Sequence, residues 1–133
     1  MPGIRRTRSA RTRFSFPDTS TGIVLGYVVW DGDQSEVGGA SISVDGEPGG
    51  TFLYTDQNGN PSESATCTST PGGPQFMIIG ASAGAPSSSY VFTALAADQS
   101  TTATATIPQF YASSINWVTI TFTSSTSPTS TCQ

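Results

Sequence analysis

The chain has 133 residues and a formal net charge of −4, a length that favours a single domain with a real hydrophobic core. Charged residues make up 11% of the chain, against about 25% in typical soluble domains, and Ser, Thr, Gly and Pro are abundant instead. This composition disfavours helices. No apolar run reaches the roughly 18 residues of a membrane span, so we expect none.

The charges are segregated along the chain. All cationic side chains lie between residues 5 and 13, and they are Arg5, Arg6, Arg8, Arg11 and Arg13. All carboxylates follow, at Asp18, Asp31, Asp33, Glu36, Asp45, Glu47, Asp56, Glu63 and Asp98. A basic arm on an acidic body attracts its own body or another copy, and the acidic body disfavours nucleic acid as a partner.

The N-terminal arm, residues 1–20, contains the first candidate strand. Ala10, Thr12, Phe14 and Phe16 alternate with the polar residues between them, Arg11, Arg13 and Ser15. This period of two predicts a half-buried strand whose arginines face water.

Eight further runs in residues 21–123 predict strands, separated by clusters of Gly, Pro, Asn and Asp. They are Gly22–Trp30, Gly39–Asp45, Thr51–Thr55, Pro61–Ser69, Gln75–Ala83, Ser89–Ala96, Thr101–Ile107 and Ile115–Thr123. Turns at this spacing are typical of an antiparallel β-sandwich. The predicted core includes Val29, Ile42, Val44, Phe52, Tyr54, Ile78, Phe92, Val118, Ile120 and Phe122. By contrast, Trp117 is expected to point outward and to mark a contact site.

Two cysteines and a Ser/Thr/Pro-rich tail, residues 124–133, complete the chain. A Cys67–Cys132 disulfide would stabilise the fold by about 4 kcal/mol in the chain-entropy model. The alternative is a buried Cys67 with a free or intermolecular Cys132. We expect an extracellular location, where an even number of cysteines makes one disulfide plausible, and the tail is a candidate acceptor of O-glycans.

A series of motifs lies between Val28 and Thr93, in the order Val28–Asp33, Gly39–Val44, Thr55–Asn60, Ser64–Thr70, Gly72-Gly73, Phe76–Gly84 and Tyr90–Thr93. This stretch resembles bacterial Ig-like domains of the invasin and intimin type. The resemblance implies an Ig-like antiparallel sandwich of about seven to nine strands on a cell or virion surface, without catalysis. The chain departs from the family because it is one module with extra strands and a tail. The Thr55–Gly59 turn is also similar to carboxypeptidase regulatory-like domains.

Candidate ligand sites are weak. Residues 56–60 place oxygen ligands as calcium loops do, but the Gly comes too early and no Glu follows, so a hairpin turn is the simpler interpretation. Asp31, Asp33 and Glu36 form a second acidic cluster, which we interpret as a solvated loop or a socket for a neighbour's arginines. We expect no metal and no cofactor.

Catalysis is disfavoured because the chain has no histidine or lysine to activate a nucleophile. A carboxylate pair for glycoside hydrolysis stays open on sequence grounds, since only its spatial separation identifies it. A sugar-binding platform from Trp30, Tyr54, Tyr90, Tyr111 and Trp117 competes with core packing.

The favoured function is a non-enzymatic structural subunit that polymerises into an extracellular filament, its arm inserted in the next subunit. The predicted interface residues are Arg5, Arg6, Arg8, Ala10, Arg11, Thr12, Arg13, Phe14, Phe16, Asp31, Asp33, Glu36, Glu47 and Trp117. The alternatives are a virion surface protein and an adhesin module that binds glycans or cells.

Overall fold

The computed structural model describes residues 21–46, 48–82, 89–107 and 111–132, which contain eight strands and no helix. In chain order the strands are β1 (Thr21–Trp30), β2 (Ser41–Asp45), β3 (Thr51–Thr55), β4 (Pro61–Ser62), β5 (Phe76–Ser82), β6 (Tyr90–Leu95), β7 (Thr102–Ile107) and β8 (Ile115–Phe122). The predicted all-β sandwich is confirmed. The strand predicted in the arm lies outside the described residues.

The strands form two sheets. The five-stranded sheet has the order β4-β3-β5-β1-β8, and the three-stranded sheet has the order β2-β6-β7. The pairs are antiparallel except for β1 and β8, which run parallel with Ile23 beside Ile115 and Trp30 beside Phe122. The first and last strands are therefore neighbours, and β1 lies inside the larger sheet.

The core lies between the sheets and is built from alternate residues of each strand. Six of the predicted core residues are buried, namely Tyr54, Ile78, Phe92, Val118, Ile120 and Phe122, and Ile42, Val44 and Phe52 are half-buried against them. The prediction for Val29 was wrong. Val29 is half-buried on the opposite side of β1, and its neighbour Val28 is fully buried.

Gly26 allows β1 to pack closely against this core. Gly26 lies on the inner side of β1, and the ring of Phe76 lies over it so closely that a Cβ at this position would overlap the ring. Phe76 in turn stacks on Phe52, with ring centroids 5.6 Å apart. The absent side chain at Gly26 therefore provides the space for the fully buried ring of Phe76.

The loop that follows β1 is held by a buried glutamine. Gln75 has no exposed surface, and its Oε1 accepts a hydrogen bond from Val28 N at 2.7 Å. Its Nε2 donates to Val37 O at 2.9 Å and to Ser69 O at 3.0 Å. The side chain thus supplies hydrogen-bond partners to backbone groups just before β5 begins to pair with β1.

The segment after β4 is held in the same region, which corrects one predicted strand. Thr68 N donates to Ala40 O at 2.8 Å, and Gly39 N donates to Thr68 O at 2.7 Å. Because these residues pair with the chain before β2 and not with β3, the run predicted from Pro61 to Ser69 is a strand only as far as Ser62.

The tail crosses the end of the sandwich near this segment. Cys67 and Cys132 form the disulfide expected from the sequence, with Cα atoms 5.6 Å apart. Ser130 N donates a hydrogen bond to Gly38 O at 2.9 Å. The described tail is therefore attached to the body by a disulfide as well as by hydrogen bonds.

Candidate interaction surface

The outer face of the five-stranded sheet is apolar. Two rows of side chains cross the strands β3, β5, β1 and β8 in that order, and they are Thr51, Ile79, Ile23 and Ile115 in one row and Leu53, Met77, Leu25 and Trp117 in the other. Tyr27 and Val29 extend this surface along β1. We define the apolar face as Ile23, Leu25, Tyr27, Val29, Leu53, Met77, Ile79, Ile115 and Trp117.

Several of these side chains are well exposed. Ile79 has 39% of its surface exposed, Ile115 has 50% and Trp117 has 56%. With strands about 4.8 Å apart and a rise of about 3.3 Å per residue, the apolar face is roughly 14 Å wide where β3 and β5 take part and extends about 20 Å along β1, and its nine side chains cover about 300 Å². None of the residues in these four strands is charged. Patches of this size on soluble domains are often functional.

The outer face of the three-stranded sheet is different. Its edge strands expose hydroxyl groups and one carboxylate, at Ser43, Asp45, Thr102, Thr104 and Thr106. The apolar residues Val91 and Leu95 are half-buried on the central strand β6. The sandwich thus has one hydroxyl-rich outer face and one apolar outer face.

Trp117 lies on the apolar face and points outward, as its alternation with Val118 predicted. Its ring stacks on Tyr27 of the neighbouring strand, with centroids 5.8 Å apart and planes inclined by 15°. One face of the indole is therefore already turned towards Tyr27.

The other aromatic residues considered for a sugar platform are dispersed. Tyr54 and Tyr90 are buried, and Trp30 packs against the core while its indole N–H donates to Ser124 O at 2.8 Å. Tyr111 has 56% of its surface exposed. Of the five candidates, only Tyr111 and Trp117 are available for stacking.

Five carboxylates gather at the end of the sandwich where β1 finishes. They lie in the turns that follow β1, β3 and β6, and we define them as the acidic end: Asp31, Asp33, Glu36, Asp56 and Asp98. Thr21, where the arm joins β1, lies at the opposite end, about 30 Å away along the ten residues of β1. The described chain therefore begins far from most of the body's negative charge.

Hydrogen bonds lower the pKa of two of these carboxylates. The hydroxyl and backbone N–H of Ser35 lower the pKa of Asp33. The hydroxyl and backbone N–H of Thr101, together with the N–H of Ser100, lower the pKa of Asp98 to about 2. Both groups are fully exposed, so their charge is available to a partner at neutral pH.

The candidate calcium loop is a hairpin turn. Asp56 Oδ1 accepts hydrogen bonds from Asn58 N and Asn60 N, both at 2.9 Å, and Gly59 has a φ of +88°. The turn joins β3 to β4. Within the described ranges, no three His, Cys, Asp or Glu side chains are grouped so as to hold a metal ion.

The predicted interface residues are only partly described. Trp117 lies on the apolar face, whereas Asp31, Asp33 and Glu36 lie together at the acidic end. Outside the described residues are Glu47 and the arm residues Arg5, Arg6, Arg8, Ala10, Arg11, Thr12, Arg13, Phe14 and Phe16. The other residues of the apolar face were not predicted to be interface residues. Their signal was the two-sided hydrophobicity of β1.

Comparisons of the chain with protein-family models, with curated proteins and with solved structures found no match. The resemblance to invasin- and intimin-type domains thus stays a prediction from the motifs. In the part of the chain that the structure describes, no helix has the length and apolar character to cross a bilayer.

Proposed function

We propose that this protein is a non-enzymatic structural subunit that polymerises head to tail into an extracellular filament, with the arm of one subunit bound to the body of the next. The observation that carries the proposal is the apolar face. The described residues leave about 300 Å² of apolar surface open on one side of the sandwich, while the other side is polar. Such an asymmetry is expected of a surface that another protein segment covers.

The charge distribution supports a head-to-tail arrangement. The arginines belong to an arm that leaves at Thr21, and the acidic end lies at the other end of β1. Copies aligned end to end place the +5 arm of one subunit beside the carboxylates of the next. Contacts of this heterologous kind continue into an open polymer unless the rotation closes a ring.

An extracellular setting is supported by the Cys67–Cys132 disulfide, because such bonds persist in oxidising compartments. The exposed Ser and Thr residues of the tail are candidate O-glycan acceptors in that setting. A virion surface is an alternative setting for the same kind of subunit.

A second function, a glycan-binding adhesin module, is favoured by the exposure of Trp117 and Tyr111. Sugars stack on open aromatic faces, and the Trp117 face turned towards Tyr27 is not open in this way. This arrangement makes the adhesin the weaker candidate.

Deletion of residues 1–16 tests the proposal. We expect the truncated protein to keep its β-sheet circular dichroism and to lose its polymers in electron microscopy and sedimentation. Phe14→Ala with Phe16→Ala in the full chain should weaken polymerisation more than the matched charge variant, Arg11→Gln with Arg13→Gln. Exposed ion pairs contribute only about 0–1 kcal/mol each, so the aromatic residues should dominate.

Polymers of normal length and yield from the truncated chain would refute an arm-dependent filament. A monodisperse full-length monomer that binds a glycan array, with binding lost in Trp117→Ala, would support the adhesin instead.

A further inference from the structure

The described chain begins beside the apolar face. β1 starts at Thr21, and Ile23 lies in the first row of this face. The face follows β1 as far as Val29, and the acidic end begins at Asp31, directly after β1. Residues 1–20 are therefore joined to the body at one end of an apolar surface whose other end is acidic.

We propose that residues 6–16 cover the apolar face of their own subunit before it assembles, running back along β1 from the Thr21 end towards the acidic end. The apolar face is then an autoinhibitory site whose ligand is the chain's own N-terminal segment. An arm bound in this way is not available to a neighbour. The polymerisation proposed above therefore requires its release, and the contact itself exists whether or not filaments form.

The order of residues along the arm selects this direction. Read backwards from residue 20, one side of an extended arm carries Phe16, Phe14, Thr12, Ala10, Arg8 and Arg6. The outer side of β1 is apolar from Ile23 to Val29 and is followed by carboxylates. An arm that runs from the Thr21 end therefore places its apolar and small residues on the apolar face and its next two arginines at the acidic end.

A neighbour's arm that enters this face from the acidic end meets it in the opposite order. Its Phe16 and Phe14 then come first, beside the carboxylates, and its arginines come to lie over the strands of the apolar face. Those four strands contain no charged residue, so they offer the arginines no carboxylate. The subunit's own arm is thus the better match in charge.

The connection is long enough for the chain to reverse. A second layer packs about 10 Å above a sheet, and the chain from Phe16 to Ile23 can span about 23 Å. Pro17 and Asp18 are residue types that are common in turns. With residues 17–22 as the connection, Phe16 lies over the row through Ile23.

The same register aligns the rest of the arm. Both segments rise about 3.3 Å per residue, so each further residue of the arm lies over the next residue of β1. Phe14 then lies over the row through Leu25, and Arg8 lies beside Asp31. Arg13 is on the opposite side of the arm and stays in water. The change from apolar to basic residues in the arm thus falls where the carboxylates begin.

The most exposed side chains of the apolar face lie under the two phenylalanines. Ile79 and Ile115, with 39% and 50% of their surface exposed, belong to the row under Phe16. Trp117, with 56% exposed, belongs to the row under Phe14. Covering these side chains removes apolar surface from water, which favours the bound arm.

The tether favours the subunit's own arm over other occupants. A segment on a linker of a few residues has an effective concentration on the order of millimolar, which a separate molecule must match to displace it. A second copy packed face to face buries only about 600 Å² from two faces of about 300 Å², against about 1,200–2,000 Å² in stable specific interfaces. At micromolar concentrations the arm is therefore the expected occupant.

Photo-cross-linking of the full-length subunit tests the site. The protein with p-benzoylphenylalanine replacing Phe14 is mixed in equal amounts with unmodified protein labelled with ¹⁵N, kept at a concentration where sedimentation shows monomers, and irradiated. Chymotrypsin is used for digestion because the chain has no Lys or Arg after Arg13. We expect peptide pairs in which both members are unlabelled and which join position 14 to Ile23–Val29 or to Met77–Ile79.

The matched control places the probe at Ser15, on the other side of an extended arm, and its labelling of the apolar face should be several-fold lower. Equal labelling from the two positions, or pairs from position 14 confined to β7 and β8, would overturn the inference. Pairs with one labelled member would place the arm on another copy and would also overturn it. An unmodified protein that forms no polymer at any concentration would refute the proposed function and leave unlabelled pairs as support for the covered face.

A single introduced amine tests the direction of the arm. The chain has no lysine, so Arg8→Lys and Arg13→Lys each add one side-chain amine and keep the charge. A carbodiimide joins an amine to a carboxylate in contact with it, and we expect the Arg8→Lys monomer to couple to Asp31 or Asp33 several-fold more than the Arg13→Lys monomer. Equal coupling of the two variants to these carboxylates would overturn the inference. Coupling of the Arg8→Lys amine to Asp45, at the end of β2 away from the acidic end, would reverse the direction and overturn it as well.

Discussion

Gln75 is the buried polar residue on which the loop after β1 depends. Gln75→Leu keeps a similar volume and removes the partners of Val28 N, Val37 O and Ser69 O. Val37 O still accepts a hydrogen bond from Thr68 Oγ1 at 2.8 Å in this variant, so it loses only one of its two partners. An unsatisfied buried group costs about 1–3 kcal/mol, and the full cost applies to Val28 N with a smaller cost for the part-buried Ser69 O. We therefore expect a loss of about 3 kcal/mol from the free energy of unfolding.

The assay is urea unfolding followed by tryptophan fluorescence, with the disulfide intact. Gln57→Leu is the matched control, because the Gln57 amide also bonds to backbone groups of Thr70, donating at 2.8 Å and accepting at 3.1 Å, but on the exposed surface. Water replaces those bonds, so its cost should stay below about 1 kcal/mol. Equal costs for the two variants, or a cost below about 0.5 kcal/mol for Gln75→Leu, would refute this reasoning.

Two further stability changes are expected. Cys132→Ser removes the disulfide, which joins residues 65 positions apart, and should lower the free energy of unfolding in urea by about 4 kcal/mol. A loss below about 1 kcal/mol would contradict the chain-entropy estimate. Gly26→Ala should cost about 1–3 kcal/mol because its methyl group must displace the ring of Phe76. In the control, Gly73→Ala, the added Cβ has no atom within 4 Å, so the free energy of unfolding should change by less than about 0.5 kcal/mol. Similar shifts in melting temperature for the two variants would disprove the packing argument.

Local alternation was sufficient to predict the fold class and much of the core. In β8, Val118, Ile120 and Phe122 alternate with more polar residues, so their inward orientation could be read directly from the sequence. Where one face of a strand is wet and the other dry, the period of two determines the orientation of every side chain.

The same reasoning failed in β1 because both of its faces are apolar. Val28 and Val29 are equivalent by residue type, and the choice between them depends on Gly26, whose missing side chain leaves space for Phe76. That contact joins residues fifty positions apart, so no local pattern contained it.

The apolar face could not be predicted for a related reason. Leu25 and Met77 become neighbours only through the β1–β5 register, and Trp117 joins them through the parallel pairing with β8. The strands β3, β5 and β8 each show only one or two outward apolar residues, which is unremarkable on a soluble domain, and β1 alone shows four. Only the sheet order places them side by side.

The parallel pairing of β1 and β8 also determines how the body bears tension. The arm joins the start of β1, and the tail leaves the end of β8, at opposite ends of the sandwich. A force that separates these two points acts along the strands, so the hydrogen bonds between β1 and β8 are loaded in shear and must break together. An antiparallel pair with both attachments at one end would instead open like a zipper, one bond at a time.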